Sequence, residues 1–310
     1  MMRVLVTGAS GFAGRHVTVA LSDAGHEPIG VGGPGEMPRG IDLLDAAAVR
    51  AAIVDAAPDA VIHLAGQAFV PPSIASPLAT LAVNATGTAH VLEGVRAAGL
   101  PIRTLVVSSA EVYGRQRPER MPLDESAPLH PENPYAASKV AAETYAGVWS
   151  RLYGLDIVIA RPFNHIGPGQ DARFVVPAFA HQLAAIAAGA SPVLSVGNLA
   201  AERDFLDVRD VAGAYLALLA NGRSGEVYNV CSGRAVAIHE VLRQLMTIAR
   251  VPVEVRDDPD RLRPSDVPVM CGDATKLRAE TGWEPRYSLA ASLRDIYDDA
   301  SASIAARAGV

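Results

Sequence analysis

Tyr135 and Lys139 stand four residues apart in Tyr135-Ala136-Ala137-Ser138-Lys139, within an alanine-rich stretch of helical period. Residues so spaced share one helix face. An ammonium beside a phenol stabilises the phenolate and lowers the tyrosine pKa. The pair therefore reads as a proton donor or acceptor that works near neutral pH. Upstream, Ser108-Ser109-Ala110-Glu111 ends an apolar run at 104–108, and a hydroxyl there is placed to hydrogen-bond a reacting oxygen. Other reactive side chains offer less. Cys231 and Cys271 read as small buried hydrophobes. His165 and His181 have no carboxylate or His at ligand spacing, so no metal is expected.

A second constellation opens the chain. Thr7-Gly8-Ala9-Ser10-Gly11-Phe12-Ala13-Gly14 follows a short β-branched run and begins a helical pattern. Glycines at Gly8, Gly11 and Gly14 allow a tight turn and close backbone approach, with Phe12 and Ala13 between them. The helix that follows offers free N–H groups and a positive dipole end to a pyrophosphate. This is the signature of a dinucleotide site. In such sites the second strand commonly ends in an acid that binds the adenosine ribose of NAD. Here the strand runs into Gly30-Val31-Gly32-Gly33-Pro34-Gly35, an uncharged tip that favours NADP over NAD, with Arg15 and Arg39 as candidate partners of its 2′-phosphate. Asp42-Leu43, after an expected third strand ending at Ile41, is positioned to receive the adenine amino group. Leu64-Ala65-Gly66, closing the next strand, can approach the cofactor backbone. His63, inside that strand, reads as a satisfied structural histidine.

The elements that must hold these residues alternate. Strands are expected at 3–7, 27–31, 60–64, 104–108 and 156–161, and helices at 14–24, 46–56, 84–98 and 134–153. Apolar strand runs in βαβα order point to a doubly wound parallel sheet covered on both faces. After Asn164 the rhythm changes. Helices at 174–188, 208–219 and 237–250 mix with strands at 192–196 and 227–230, and 256–268 reads as loop. The fold class expected is α/β: a Rossmann-type sheet over residues 1–163, rejoined by 207–230, and a smaller C-terminal α/β domain, mainly 164–310, for substrate.

Composition limits the alternatives. The chain has 310 residues, half of them hydrophobic and 19% charged, which excludes disorder. Its net charge of −6 argues against nucleic acid as a partner. Two cysteines exclude a disulfide scaffold and fit a cytoplasmic setting. No window reads as a signal peptide or membrane span.

The glycine turn, the serine and Tyr-x-x-x-Lys, in this order, resemble the extended short-chain dehydrogenase/reductase family over nearly the whole chain. The resemblance implies that Tyr135 is the catalytic acid/base and that Ser109 is its hydroxyl partner. It makes Lys139 the nicotinamide-ribose ligand, with Tyr135 and Lys139 both touching cofactor. Asn84-Ala85-Thr86-Gly87 matches the family's structural Asn motif, and Arg161-Pro162-Phe163-Asn164 matches the segment beside nicotinamide, which makes Arg161 a cofactor residue. Family members also pair the helices at 84–98 and 134–153 into a four-helix bundle, so a homodimer is expected.

The later runs narrow the resemblance. Asn164-His165-Ile166-Gly167-Pro168-Gly169-Gln170, Arg203-Asp204-Phe205-Leu206-Asp207 and Arg263-Pro264-Ser265-Asp266 are similar to the GDP-mannose branch, which holds 4,6-dehydratases and 4-ketoreductases. That match implies a GDP-sugar substrate. Asn164 and Arg203 would meet its diphosphate or sugar, Arg263 and Asp266 its GDP, and Val175 and Asn198 its guanine or ribose. Glu111 matches the glutamate with which family dehydratases remove a sugar C5 proton, so the alternatives are GDP-mannose 4,6-dehydration or the work of another nucleotide-sugar epimerase or dehydratase of the family. Chain length and the wording of the 164–170 and 204–215 runs are closer to the reductases. The expected activity is then NAD(P)H-dependent reduction of GDP-4-keto-6-deoxy-D-mannose at C4. The product is GDP-D-rhamnose, or its C4 epimer GDP-6-deoxy-D-talose if the other sugar face meets the nicotinamide.

Overall fold

Val4, Leu5 and Val6 lie at the centre of the molecule, essentially without solvent exposure. They belong to β1 (Arg3–Thr7), whose alternating side chains feed two different cores. The computed structural model describes residues 1–36, 39–261 and 267–308. Six parallel strands form the main sheet, in the order β2-β1-β3-β4-β5-β9. Besides β1 they are β2 (Glu27–Val31), β3 (Ala60–His63), β4 (Arg103–Val107), β5 (Ile157–Pro162) and, from the second half of the chain, β9 (Val227–Val230). Val4 and Val6 pack with Val17 of α1 (Phe12–Asp23) and with Val211 and Leu218 of α8 (Val208–Asn221). Leu5 packs on the other face with Val49 and Ile53 of α2 (Ala46–Ala56) and Val91 and Val95 of α5 (Gly87–Ala98). The sheet is thus covered on both faces, the doubly wound arrangement that apolar parallel strands require.

A smaller layer lies beside it. In this layer β8 (Glu202–Asp207) pairs with β6 (Asn164–Ile166), β10 (Ala235–Ala237) and β12 (Val269–Met270), while β7 (Val193–Val196) pairs with β11 (Glu254–Asp257). Its own core joins Phe179 and Leu183 of α7 (Val175–Ala187), Val241 and Leu245 of α9 (Ile238–Ala249), and Leu293 and Ile296 of α11 (Leu289–Ala308). The remaining helices are α3 (Val70–Ala75), α4 (Pro77–Leu81), α6 (Pro134–Tyr153) and α10 (Thr275–Thr281).

Local signals explain the cleanest boundaries. α6 starts where Asn133 accepts the Ala136 N–H at 2.8 Å with Pro134 next, and ends where Gly154 turns left-handed at φ +67°. Elsewhere the expectations need correction. The third strand before Asp42 reduces to a single Gly32–Gly40 bridge, because this glycine- and proline-rich run has few side chains to pack. The helix expected at 84–98 begins as a wider π turn at Ala82–Thr86, preceded by α3 and α4. Asn164 lies in the short strand β6, and the charged run at 202–207 is a strand because pairing and burial override its composition.

Candidate active site

A cleft of about 1320 Å³ runs past the C-terminal ends of the central strands and under the smaller layer. It exceeds the ~300–1,000 Å³ of a typical small-molecule site, leaving room for a cofactor and a second nucleotide. The glycine turn forms one end. Gly8 sits at φ +73°, and a Cβ there would come within 2.8 Å of the Ala65 backbone nitrogen. Gly14 is packed more tightly still, its Cβ position lying 2.0 Å from the Gly8 carbonyl oxygen. Gly11 caps α1 without a side-chain acceptor, so the first-turn N–H groups face the cleft beside Phe12 and Ala13. These features fit a dinucleotide pyrophosphate. Asp42, Leu43, Leu64, Ala65 and Gly66 line the same end, and the Asp42 carboxylate accepts the Leu44 N–H at 2.9 Å.

The chemistry-bearing residues line the middle. Tyr135, Ser109 and Lys139 are 7%, 9% and 9% exposed, all at the cleft wall. Ser109 is brought there by the end of β4, where its Oγ accepts the Glu111 N–H at 3.2 Å. Burial pushes the Tyr135 phenol up to about 12; a hydrogen bond with Ser109 opposes this and the Glu111 charge adds to it. That corrects the expectation of a phenol lowered by its lysine. In the resting site the Lys139 Nζ lies under Gly66 and donates to the Val107 carbonyl at 2.9 Å, and burial outweighs it at the phenol. Burial lowers Lys139 itself to about 8, against the raising effect of Glu143. Glu111 also lines the cleft and accepts from the Asn133 amide at 3.2 Å.

Supporting residues hold these groups in place. Asn84 donates to the Gln67 carbonyl and to Ser138 Oγ, both at 2.9 Å, and accepts the Gln67 N–H at 2.8 Å. The π turn thereby ties the loop after β3 to α6. His63 lies between Thr7 Oγ1 at 2.8 Å and Thr88 Oγ1 at 3.0 Å, and burial, then Lys139, drives its pKa down to about 3. It is a neutral structural histidine.

Arg161 does not line the cleft. Its guanidinium grips the Glu143 carboxylate at 2.9 and 2.7 Å and donates to Tyr113 at 3.0 Å, with the ion pair only 6% and 7% exposed. The cofactor role expected of it is therefore corrected: the charge is spent inside the fold. Arg15 donates to the Ser10 and Gly169 carbonyls, and Arg39 turns to Asp55. Nor is the tip of β2 uncharged, because Glu36 folds back over it, accepting the Gly33 N–H at 2.8 Å and hydrogen-bonded by Ser10.

At the far end the cleft is lined by Asn164, Val175, Asn198 and Arg203. Arg203 donates to the Glu202 carbonyl at 2.9 Å. The neighbouring carboxylates are engaged by other groups: Asp204 by Ser232 and Gly233, Asp207 by Arg209, and Asp210 by the Arg286 and Tyr287 N–H groups. Arg263 and Asp266 lie outside the described residues. Sequence reasoning missed Gln67, Phe69 and Phe174. Phe69 and Phe174 meet edge-on at 5.3 Å across the cleft, while Phe12 of the glycine turn stacks on His165 at 5.9 Å. These contacts join distant segments, and no local signal marks them. Among the described residues no group of three His, Cys, Asp or Glu is placed to hold a metal ion, and no helix is long and apolar enough to cross a membrane.

A doubly wound sheet, a glycine turn and a buried Ser-Tyr-Lys trio in one cleft define an extended short-chain dehydrogenase/reductase, an NAD(P)-dependent oxidoreductase. Comparison with known proteins agrees. Residues 39–296 match the GDP-mannose 4,6 dehydratase family, and the chain belongs to it. The GDP-6-deoxy-D-mannose reductase of Pseudomonas aeruginosa is 41% identical over 298 residues, 96% of each chain. The solved structure of RMD from Pseudomonas aeruginosa complexed with NADPH superposes with a TM-score of 0.90 at 39% identity, over 98% of this chain and 100% of that one. The Thermus thermophilus UDP-glucose 4-epimerase, solved with NAD, follows at TM-score 0.86 and 32% identity, over 96% and 99%.

Proposed function

We propose that the protein reduces the C4 keto group of GDP-4-keto-6-deoxy-D-mannose to give GDP-D-rhamnose. The observation that carries this reading is the buried trio of Ser109, Tyr135 and Lys139, which meets at the wall of one cleft with Tyr135 protonated at neutral pH. A protonated phenol is the form that reduction consumes, because a carbonyl gaining hydride becomes an alkoxide that needs a proton. A bound NAD(P)H would supply the hydride. Tyr135 gives its proton to the C4 oxygen while Ser109 donates a hydrogen bond to that oxygen as its charge develops. Lys139, charged below about pH 8, holds the cofactor ribose and offsets the phenolate left behind. Gly8, Gly11 and Gly14 cradle the pyrophosphate; Asn164 and Arg203 hold the sugar diphosphate; Val175 and Asn198 wall the nucleoside. Residues 1–163 with 207–230 act as the cofactor domain, and 164–310 mainly as the substrate domain. The strong likeness to the Pseudomonas reductase supports the substrate.

The same reading makes the protein a cytoplasmic homodimer. Tyr145, Val148 and Leu152 leave an apolar stripe exposed on α6, at 45%, 37% and 66%, fit for a four-helix bundle with α5 and their copies. Glu111 on the cleft wall favours one second reading, GDP-mannose 4,6-dehydration. One paired assay decides. Loss of reduced cofactor on GDP-4-keto-6-deoxy-D-mannose, with GDP-D-rhamnose recovered, is the expected result. A keto sugar formed from GDP-mannose without net cofactor change would overturn it.

A further inference from the structure

Glu36 has no part in the chemistry above, yet its position is built. The backbone after β2 turns through Gly33-Pro34-Gly35 and returns so tightly that a Cβ on Gly40 would lie 2.5 Å from the Gly33 carbonyl oxygen. This return brings one carboxylate oxygen of Glu36 onto the Gly33 N–H at 2.8 Å and into the reach of the Ser10 hydroxyl. Gly32 leaves the space: a Cβ there would stand 2.6 Å from the same oxygen. Ser10, Gly32, Gly33 and Glu36 all line the cleft, next to Asp42.

We propose that Glu36 sets the choice of dinucleotide by holding the anion position at the tip of β2, so that NADH is bound in preference to NADPH. In dinucleotide sheets the adenosine ribose lies at this tip, and an acid about 20 residues past the glycine turn receives its 2′-hydroxyl. Glu36 follows Gly14 by 22 residues, but from a loop beyond the strand rather than from its last residue. The Gly33 N–H and the Ser10 hydroxyl are the donors a 2′-phosphate would need there. A phosphate and a carboxylate cannot share them, and each repels the other. A 2′-hydroxyl, by contrast, can donate to the carboxylate where it lies. Of the nearby cations, Arg39 pairs with Asp55 at 3.4 Å, and Arg15 donates to the Ser10 and Gly169 carbonyls rather than to the Glu36 carboxylate. The two hydrogen bonds also lower the Glu36 pKa and keep the carboxylate ionised at neutral pH.

Direct binding tests this without any sugar substrate, so a wrong sugar assignment leaves the result intact. NADH and NADPH, and as adenosine probes ADP and adenosine 2′,5′-bisphosphate, are titrated into wild type, Glu36→Ala and Glu36→Gln by calorimetry. The wild type is expected to bind NADH about tenfold or more tighter than NADPH. Both variants should reverse or erase that ratio by tightening the 2′-phosphorylated ligands. Glu36→Gln, which keeps size and removes charge, separates repulsion from shape. A wild type that prefers NADPH, or variants that shift the ratio less than about twofold, overturns the proposal; unchanged circular dichroism certifies the folded state of each variant.

Discussion

Tyr135 shows how one residue's chemistry depends on its surroundings. Its spacing from Lys139 suggested a phenol made acidic by a lysine, but burial dominates and the proton stays on. Spacing is local and legible, whereas burial sums contributions from the whole fold and is not. Tyr135→Phe should cut kcat by about 10²–10⁴-fold, and calorimetry should find NAD(P)H binding retained. The lysine gives a pH prediction with two readouts of opposite sign. Its ammonium is lost as pH rises through about 8, so kcat/KM for the reduced cofactor, which reports the free enzyme, should fall there. Between about 8 and the ordinary 10.5 the unfolded chain binds the proton and the native one does not, so the Lys139 contribution to stability rises with pH. Urea midpoints that fall together with activity would show that unfolding, not this lysine, causes the loss. At the same scale, the acid at the β2 tip escaped notice because Glu36 reaches it from five residues beyond the strand.

At the scale of elements, the clearest parts of the sequence were those with signals at both ends. The run β1–turn–α1 and the span of α6 are of this kind, each marked by glycine, proline or a capping side chain. β8 was opaque, since four of the six residues of Glu202–Asp207 are ionisable and only its partners β6, β10 and β12 make it a strand. Arg161 was misassigned for a related reason. Its partner Glu143 lies on α6, eighteen residues upstream, and only the packing of α6 on β5 joins them. Removing one member of a buried pair strands the other charge, so Arg161→Met should cost about 3–5 kcal/mol. The double variant with Glu143→Met should recover much of that loss, as urea denaturation would show. A role at the cofactor would instead appear as weakened NAD(P)H binding by Arg161→Met that the second change does not restore.

At the scale of the whole molecule, two layers and the cleft between them have to form from a single chain that crosses from one to the other. The main sheet was legible because each of its first five strands carries its own apolar run. The smaller layer was less so, because its strands are short and contributed from 164–270 in interleaved order. The exposed stripe on α6 makes a prediction at this scale. Leu152→Glu should convert the proposed dimer to a monomer, measured by light scattering after size exclusion, with little effect on monomer stability because the side chain is 66% exposed.

The place of β9 has a consequence for how the protein is made. It pairs with β5 and closes that edge of the main sheet, yet it comes from the second half of the chain. On the ribosome, roughly 65 residues must follow β5 before β9 emerges, a wait of about 3–13 s at ~5–20 residues per second. For that interval the first five strands can assemble while the backbone of Ile157–Pro162 offers an unpaired row of donors and acceptors, the kind of edge that recruits other nascent chains. Synthesis rate across 163–226 and chaperone occupancy at this edge thus bear on yield, and a chain released before Val227 carries that open edge for as long as it persists.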